Sequence, residues 1–127
     1  MNKALWWLTV PVFLVSQYSV GTMESVASYR EANGLDLKST DGYVAVVDHE
    51  FLGDILWLRP LGSDICESFQ VVDWSSPYMK RSDGMTGGEW MQAYGIGLEI
   101  DAETAKRWGT VGELAYATEC GGGALPR

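Results

Sequence analysis

The chain has 127 residues, enough for one domain and too few for two. Seventeen acidic residues against nine basic ones give a formal net charge of -8, which argues against a nucleic-acid partner, because binding a phosphate backbone needs clustered Lys and Arg. One histidine and two widely spaced cysteines do not make a zinc site, and no cofactor is expected.

The first 22 residues have the layout of a secretory signal peptide. A short basic start (Met1-Asn2-Lys3) precedes an apolar run from Ala4 to Val15 with Trp6 and Trp7, and a polar, small-residue exit follows. The run falls short of the ~20 apolar residues of a comfortable transmembrane helix, and Pro11 interrupts it. Residues 1–22 are therefore expected to be an export leader. Retention as an N-terminal membrane anchor is the alternative, and a buried strand or helix is the plainer one. Residues 23–41 read as a linker, 42–119 as the folded domain and 120–127 as a flexible tail.

Within the domain the β signals dominate. "GYVAVVD" (42–48) is rich in β-branched residues, and "DILWLR" (54–59) ends at Pro60. "ESFQVVD" (67–73) alternates, with Phe69 and Val71 on one face and Gln70 and Val72 on the other. Residues 74–95 form a long polar connection carrying several aromatics, a length usual for functional or mobile loops. "IGLEI" (96–100) is a short strand, after which Asp101 is placed to cap a helix that Gly109 ends. Residues 111–118 supply a last strand. Cys66 and Cys120 either pair across this domain or remain as two buried thiols; spacing alone leaves both open.

The order of three segments, "GYVAVVDHEFLGDILWLR", "FQVVDWSSP" and "GLEIDAETAKRWGTVG", resembles the double-psi β-barrel of the rare-lipoprotein-A-like family, related to expansins and barwin. The likeness covers residues 42–118 and consists of several short motifs in order. Leu52-Gly53-Asp54-Ile55, Val71-Val72-Asp73 through Pro77, and Ile100-Asp101 through Trp108-Gly109 carry it. It implies a mainly β fold, a small six-stranded double-psi barrel with one short helix late in the chain, placed outside the cytoplasm. It also implies a polysaccharide partner, peptidoglycan glycan in bacterial members, and lytic transglycosylase-like cleavage.

The family's catalytic positions map unevenly. Asp73 and Asp101 fall on its two aspartates, although Trp-Ser-Ser-Pro stands where the family has Arg-Gly-Pro after the first. The family's His aligns with Val46 or Val47, two or three positions before His49. Its Glu aligns with Leu35, beside Asp36. Asp73, Asp101 and His49 are thus the candidate catalytic residues. Their ordinary alternatives are strand-end hydrogen bonding for Asp73, helix capping for Asp101 and a surface position for His49. Trp74, Tyr78, Trp90 and Tyr94 could stack on sugar rings or form the loop's own small core, and Glu89 is the loop carboxylate placed to serve as a substitute acid. A structural or protein-interaction module, on an envelope or a virus particle, is the competing function.

Overall fold

The computed structural model describes residues 12–75 and 80–120. Six strands form one mixed sheet: β1 (Val12–Gln17), β2 (Gly42–Val46), β3 (Ile55–Pro60), β4 (Glu67–Trp74), β5 (Ile96–Ile100) and β6 (Ala115–Glu119). Each has two hydrogen-bonded neighbours, and the order β1-β5-β2-β4-β3-β6 closes back on β1. Among the described residues three α-helices accompany them: α1 (Thr22–Ala32), α2 (Gly87–Tyr94) and α3 (Ala102–Trp108). The mainly β, six-stranded expectation agrees with this. The single late helix does not, because two further helices lie in segments read as linker and loop.

Residues 12–17, read as part of an export leader, form a strand of the sheet. β1 runs parallel to β5 and antiparallel to β6, and Val15 is buried in the core. An apolar run serves a signal peptide and a doubly paired strand equally well, and the pairing partners lie about a hundred residues downstream, beyond any local pattern. The folded unit therefore begins no later than Val12. Residues 1–11 and 121–127 lie outside the described residues.

The chain traces its route twice. Strand, helix, strand, short helix, strand describes β1-α1-β2-β3 with the 3-10 turn His49–Phe51 before β3, and describes β4-α2-β5-α3-β6 equally. The pairings repeat as well: β1 with β5 and β4 with β2 are parallel, and β1 with β6 and β4 with β3 are antiparallel. An aspartate caps the short helix in each half, Asp48 in the first and Asp101 in the second. Cys66 and Cys120 are joined, their sulfurs 2.03 Å apart, and so bracket the second half.

The inward face of the closed sheet is filled by Val15, Val44, Leu58, Phe69, Leu98 and Ile100 among others, with Ala105 of α3 completing it. A second apolar layer lies outside, where Met23 and Ala27 of α1 pack on Ala45 and Val72. Those two helix residues are four apart, which puts them on one face. Gly42 is required where β2 passes under α3: a Cβ there would sit 2.6 Å from Thr104 Oγ1 and 2.7 Å from Asp101 Oδ2.

Candidate functional site

A bulge decides where Asp73 points. The β2–β4 register runs Val44 to Val71 and then Ala45 to Asp73, so Val72 is an extra residue in β4. Plain alternation from Phe69 and Val71 would turn Asp73 into the core. The extra residue turns it outward instead, beside Ala45 and under the edge of α1. There Tyr18 Oη donates to Asp73 Oδ2 at 2.7 Å and Arg30 Nη2 donates to Oδ1 at 3.1 Å. Arg30 Nε also donates to the Val72 carbonyl, so the guanidinium clasps the bulge itself.

Ala45 pairs with Asp73 on one side and with Glu99 of β5 on the other. Glu99 in turn pairs with Ser16 of β1, whose hydroxyl donates to Glu99 Oε2 at 3.0 Å. The outer face thus carries a row across four strands: Asp73, Ala45, Glu99, Ser16. The two acids differ in setting. Asp73 faces a cation, whereas burial pushes the Glu99 carboxyl above its ordinary range; the negative charge of Asp73 adds to the rise, while the Ser16 hydrogen bond and the Arg81 charge oppose it. Tyr18 is pushed up too, first by burial and then by its bond to Asp73.

The other sequence candidates fall into two places. Asp101 is 2 % exposed and its carboxylate accepts from Thr104 N (2.8 Å), Thr104 Oγ1 (2.9 Å) and Tyr43 N (2.9 Å). It caps α3 and ties that helix to the start of β2, at the opposite end of β2 from His49. Its position is accounted for by capping. Asp36, beside the family's missing Glu, is exposed and pairs with Lys38.

His49 is exposed in the 3-10 turn, with its ring centroid 5.2 Å from that of Trp74 and Nδ1 3.7 Å from Asp48 Oδ1. Trp74, next in the chain to Asp73, lines a cleft of about 290 Å3 with Val47, Ser75, Thr86, Glu89 and Gln92. So the fold brings His49 and Trp74 together and sets Glu89 in the cleft that Trp74 lines, whereas Asp73 lies on the opposite face of β4 and Asp101 elsewhere. Trp90 stacks under the Arg81 guanidinium (4.2 Å) and lies 5.9 Å from Tyr94, which is well exposed. Tyr78 lies outside the described residues.

Glu89 is the third residue of α2 and forms a capping box with Thr86: Thr86 N donates to Glu89 Oε1 at 2.9 Å and Glu89 N donates to Thr86 Oγ1 at 3.1 Å. The backbone hydrogen bond holds its carboxyl below the ordinary range. That is the reverse of what a general acid needs. Glu99 went unremarked in the sequence reading. Its signal was present as a lone acid inside "IGLEI", a charged residue among apolar ones on a strand.

Among the described residues, no group of three or more His, Cys, Asp or Glu is arranged to hold a metal ion, and no helix is long and apolar enough to cross a membrane. Comparison of the chain with models of protein families, with curated proteins and with solved structures gave no match.

Proposed function

We propose that this chain is an extracytoplasmic, polysaccharide-binding barrel of the double-psi type, with peptidoglycan glycan as the class of ligand. The observation that carries the reading is the cleft at Trp74. An indole wall stands there among hydroxyl, amide and carboxylate groups from Ser75, Thr86, Gln92 and Glu89. Sugars present an apolar ring face and a polar rim, and such a mixed lining suits both. The closed six-stranded order with two parallel pairs agrees with the double-psi architecture that the sequence motifs resemble.

Placement outside the cytoplasm is supported by the Cys66–Cys120 bond, which belongs to an oxidising compartment. Cleavage in the polar exit at residues 16–22 would cut within or just beyond β1. Retention on purified peptidoglycan sacculi tests the binding reading. The wild type should co-sediment and Trp74→Ala should be retained at least tenfold less; absence of wild-type retention overturns it.

A second reading, the non-catalytic interaction module, is favoured by a different face. Val12 of β1, Tyr116 of β6 and Leu61, just past the end of β3, are exposed. Val111 and Leu114 line a larger cleft of about 830 Å3 between the end of β1 and α3. Substituting Tyr116 and Leu114 by Ser without loss of sacculus retention would separate this face from glycan binding.

A further inference from the structure

We infer that the Trp74 cleft selects a sugar whose amino group is free, a 2-amino-2-deoxy unit carrying an ammonium, and that Glu89 sets this preference. The inference deepens the glycan-binding reading and rests on it. Its ground is the set of hydrogen-bonding roles left open along the cleft. Among the described lining residues Glu89 bears the only charge. Its Oε1 is taken by Thr86 N at 2.9 Å, and Oε2 has no bonding partner among the described residues. Ser75 adds a second acceptor. Its hydroxyl proton is committed to Met91 Sδ at 2.6 Å, so toward the cleft the oxygen can only accept. Gln92 lies three residues along α2 from Glu89, on the same face, and its amide oxygen is a third acceptor. Trp74 supplies an aromatic ring, whose face attracts cations.

An alkylammonium presents three N–H donors, no acceptor and a positive charge, which matches these partners group for group. An acetamido group in its place offers one N–H and no charge, so its bond to Glu89 loses the assistance of charge. An acidic sugar would set its carboxylate against that of Glu89, a like-charge contact. The cleft, about 290 Å3, stands at the lower end of small-molecule sites and suits one sugar unit. The capping box holds the Glu89 side chain in place over the first turn of α2. The two cations of the preceding segment leave its charge open to a ligand. Arg81 is held over the Trp90 ring at 4.2 Å and beside Asp83 at 3.3 Å. Lys80 acts on Glu89 through space, and no ion pair joins them.

The test is calorimetric titration of the full chain with two soluble oligosaccharides of equal length. One is a β-1,4-linked glucosamine oligomer with its amines free and charged, the other its fully N-acetylated form. The wild type should bind the free-amine oligomer about tenfold more tightly, the usual size of a hydrogen bond to a charged group. Glu89→Gln keeps a side chain that can complete the capping box and should bind both oligomers alike. Trp74→Ala should weaken both. Glu113→Gln, at the rim of the other cleft, changes the net charge equally and should keep the preference. Loss of the preference there would show attraction to the acidic chain as a whole and overturns the inference. A preference that survives in Glu89→Gln overturns it too. So does a wild type that is retained on sacculi yet shows no preference or binds neither oligomer. A wild type that binds neither sacculi nor oligomer overturns the binding reading instead. Thermal unfolding of each variant shows that it is folded.

Discussion

Tyr18 and Asp73 are 55 positions apart in sequence and 2.7 Å apart in the fold, the phenol donating to the carboxylate. The contact joins the chain just past β1 to the bulge of β4, and Arg30 of α1 closes the other side. Replacing Tyr18 by Phe keeps the ring and removes the donor. Stability at pH 7 should fall by about 1 kcal/mol, the usual net value of one hydrogen bond, read from urea unfolding. Tyr18 is pushed above its ordinary value of 10.0, so the folded state holds this proton more tightly than the unfolded chain does. Its contribution is complete below about pH 10 and is lost as pH rises beyond it. The wild type should therefore lose more stability than Tyr18→Phe between pH 9.5 and pH 11, ranges of about one unit around that value.

Glu99 obeys the same sign. Burial raises its carboxyl, so the fold favours the protonated form, and holding the charged form costs stability as pH rises above the ordinary glutamate value of 4.5. Glu99→Gln should melt at a higher temperature than wild type near pH 8, with the gap closing below about pH 4.5. A gap that is constant with pH would mean that the Glu99 carboxyl titrates alike in the folded and the unfolded chain.

At Gly42 the space is already occupied. A methyl group there meets Thr104 Oγ1, Asp101 Oδ2 and, at 2.9 Å, Phe69 Cε1. None of these can retreat freely, since Asp101 and Thr104 are bonded to each other and Phe69 fills the core. Gly42→Ala should cost about 1–3 kcal/mol. Asp101→Ala, which strands three donors, should cost about 2–4 kcal/mol. Denaturant midpoints at constant slope check both.

Removing residues 1–11 should leave unfolding cooperative, whereas removing 1–22 takes away β1 and leaves β5 and β6 each with an unpaired edge. The shorter chain is expected to aggregate or to unfold without a sharp transition, a difference visible by circular dichroism and sedimentation.

The Cys66–Cys120 bond closes a loop with a sequence separation of 54. Chain-entropy arguments give it about 4 kcal/mol. Reduction should lower the urea midpoint accordingly, and Cys66→Ser with Cys120→Ser should reproduce the reduced protein.

What could be read from the sequence was mostly local. "IDAETAKRWG" announced its strand end, capping Asp101, helix and Gly109 stop, because each signal lies within a turn of the next. Thr86 and Glu89 gave an equally local sign, Thr-x-x-Glu ahead of a helix, and Gly87-Gly88 obscured it by imitating a loop. Helix α1 escaped because it buries only Met23 and Ala27, too thin a stripe to stand out. β1 could not be told from a leader, since its evidence is its pairing with residues 96–100 and 115–118. Glu99 and Asp73 could each be seen in sequence, but their alignment across Ala45 exists only through a bulge and two registers. A row built by register is invisible until the strands are paired.

The bridge from Cys66 to Cys120 also fixes how the molecule would carry tension. A pull applied between Val12 and Cys120 runs through the first half to Cys66 and crosses the sulfurs, bypassing everything from β4 to β6. Roughly 180 Å of chain is thereby hidden from extension. Stretched, the protein would pay out only its first half, while the strands bearing Asp73, Trp74 and Glu99 stayed within a covalent ring.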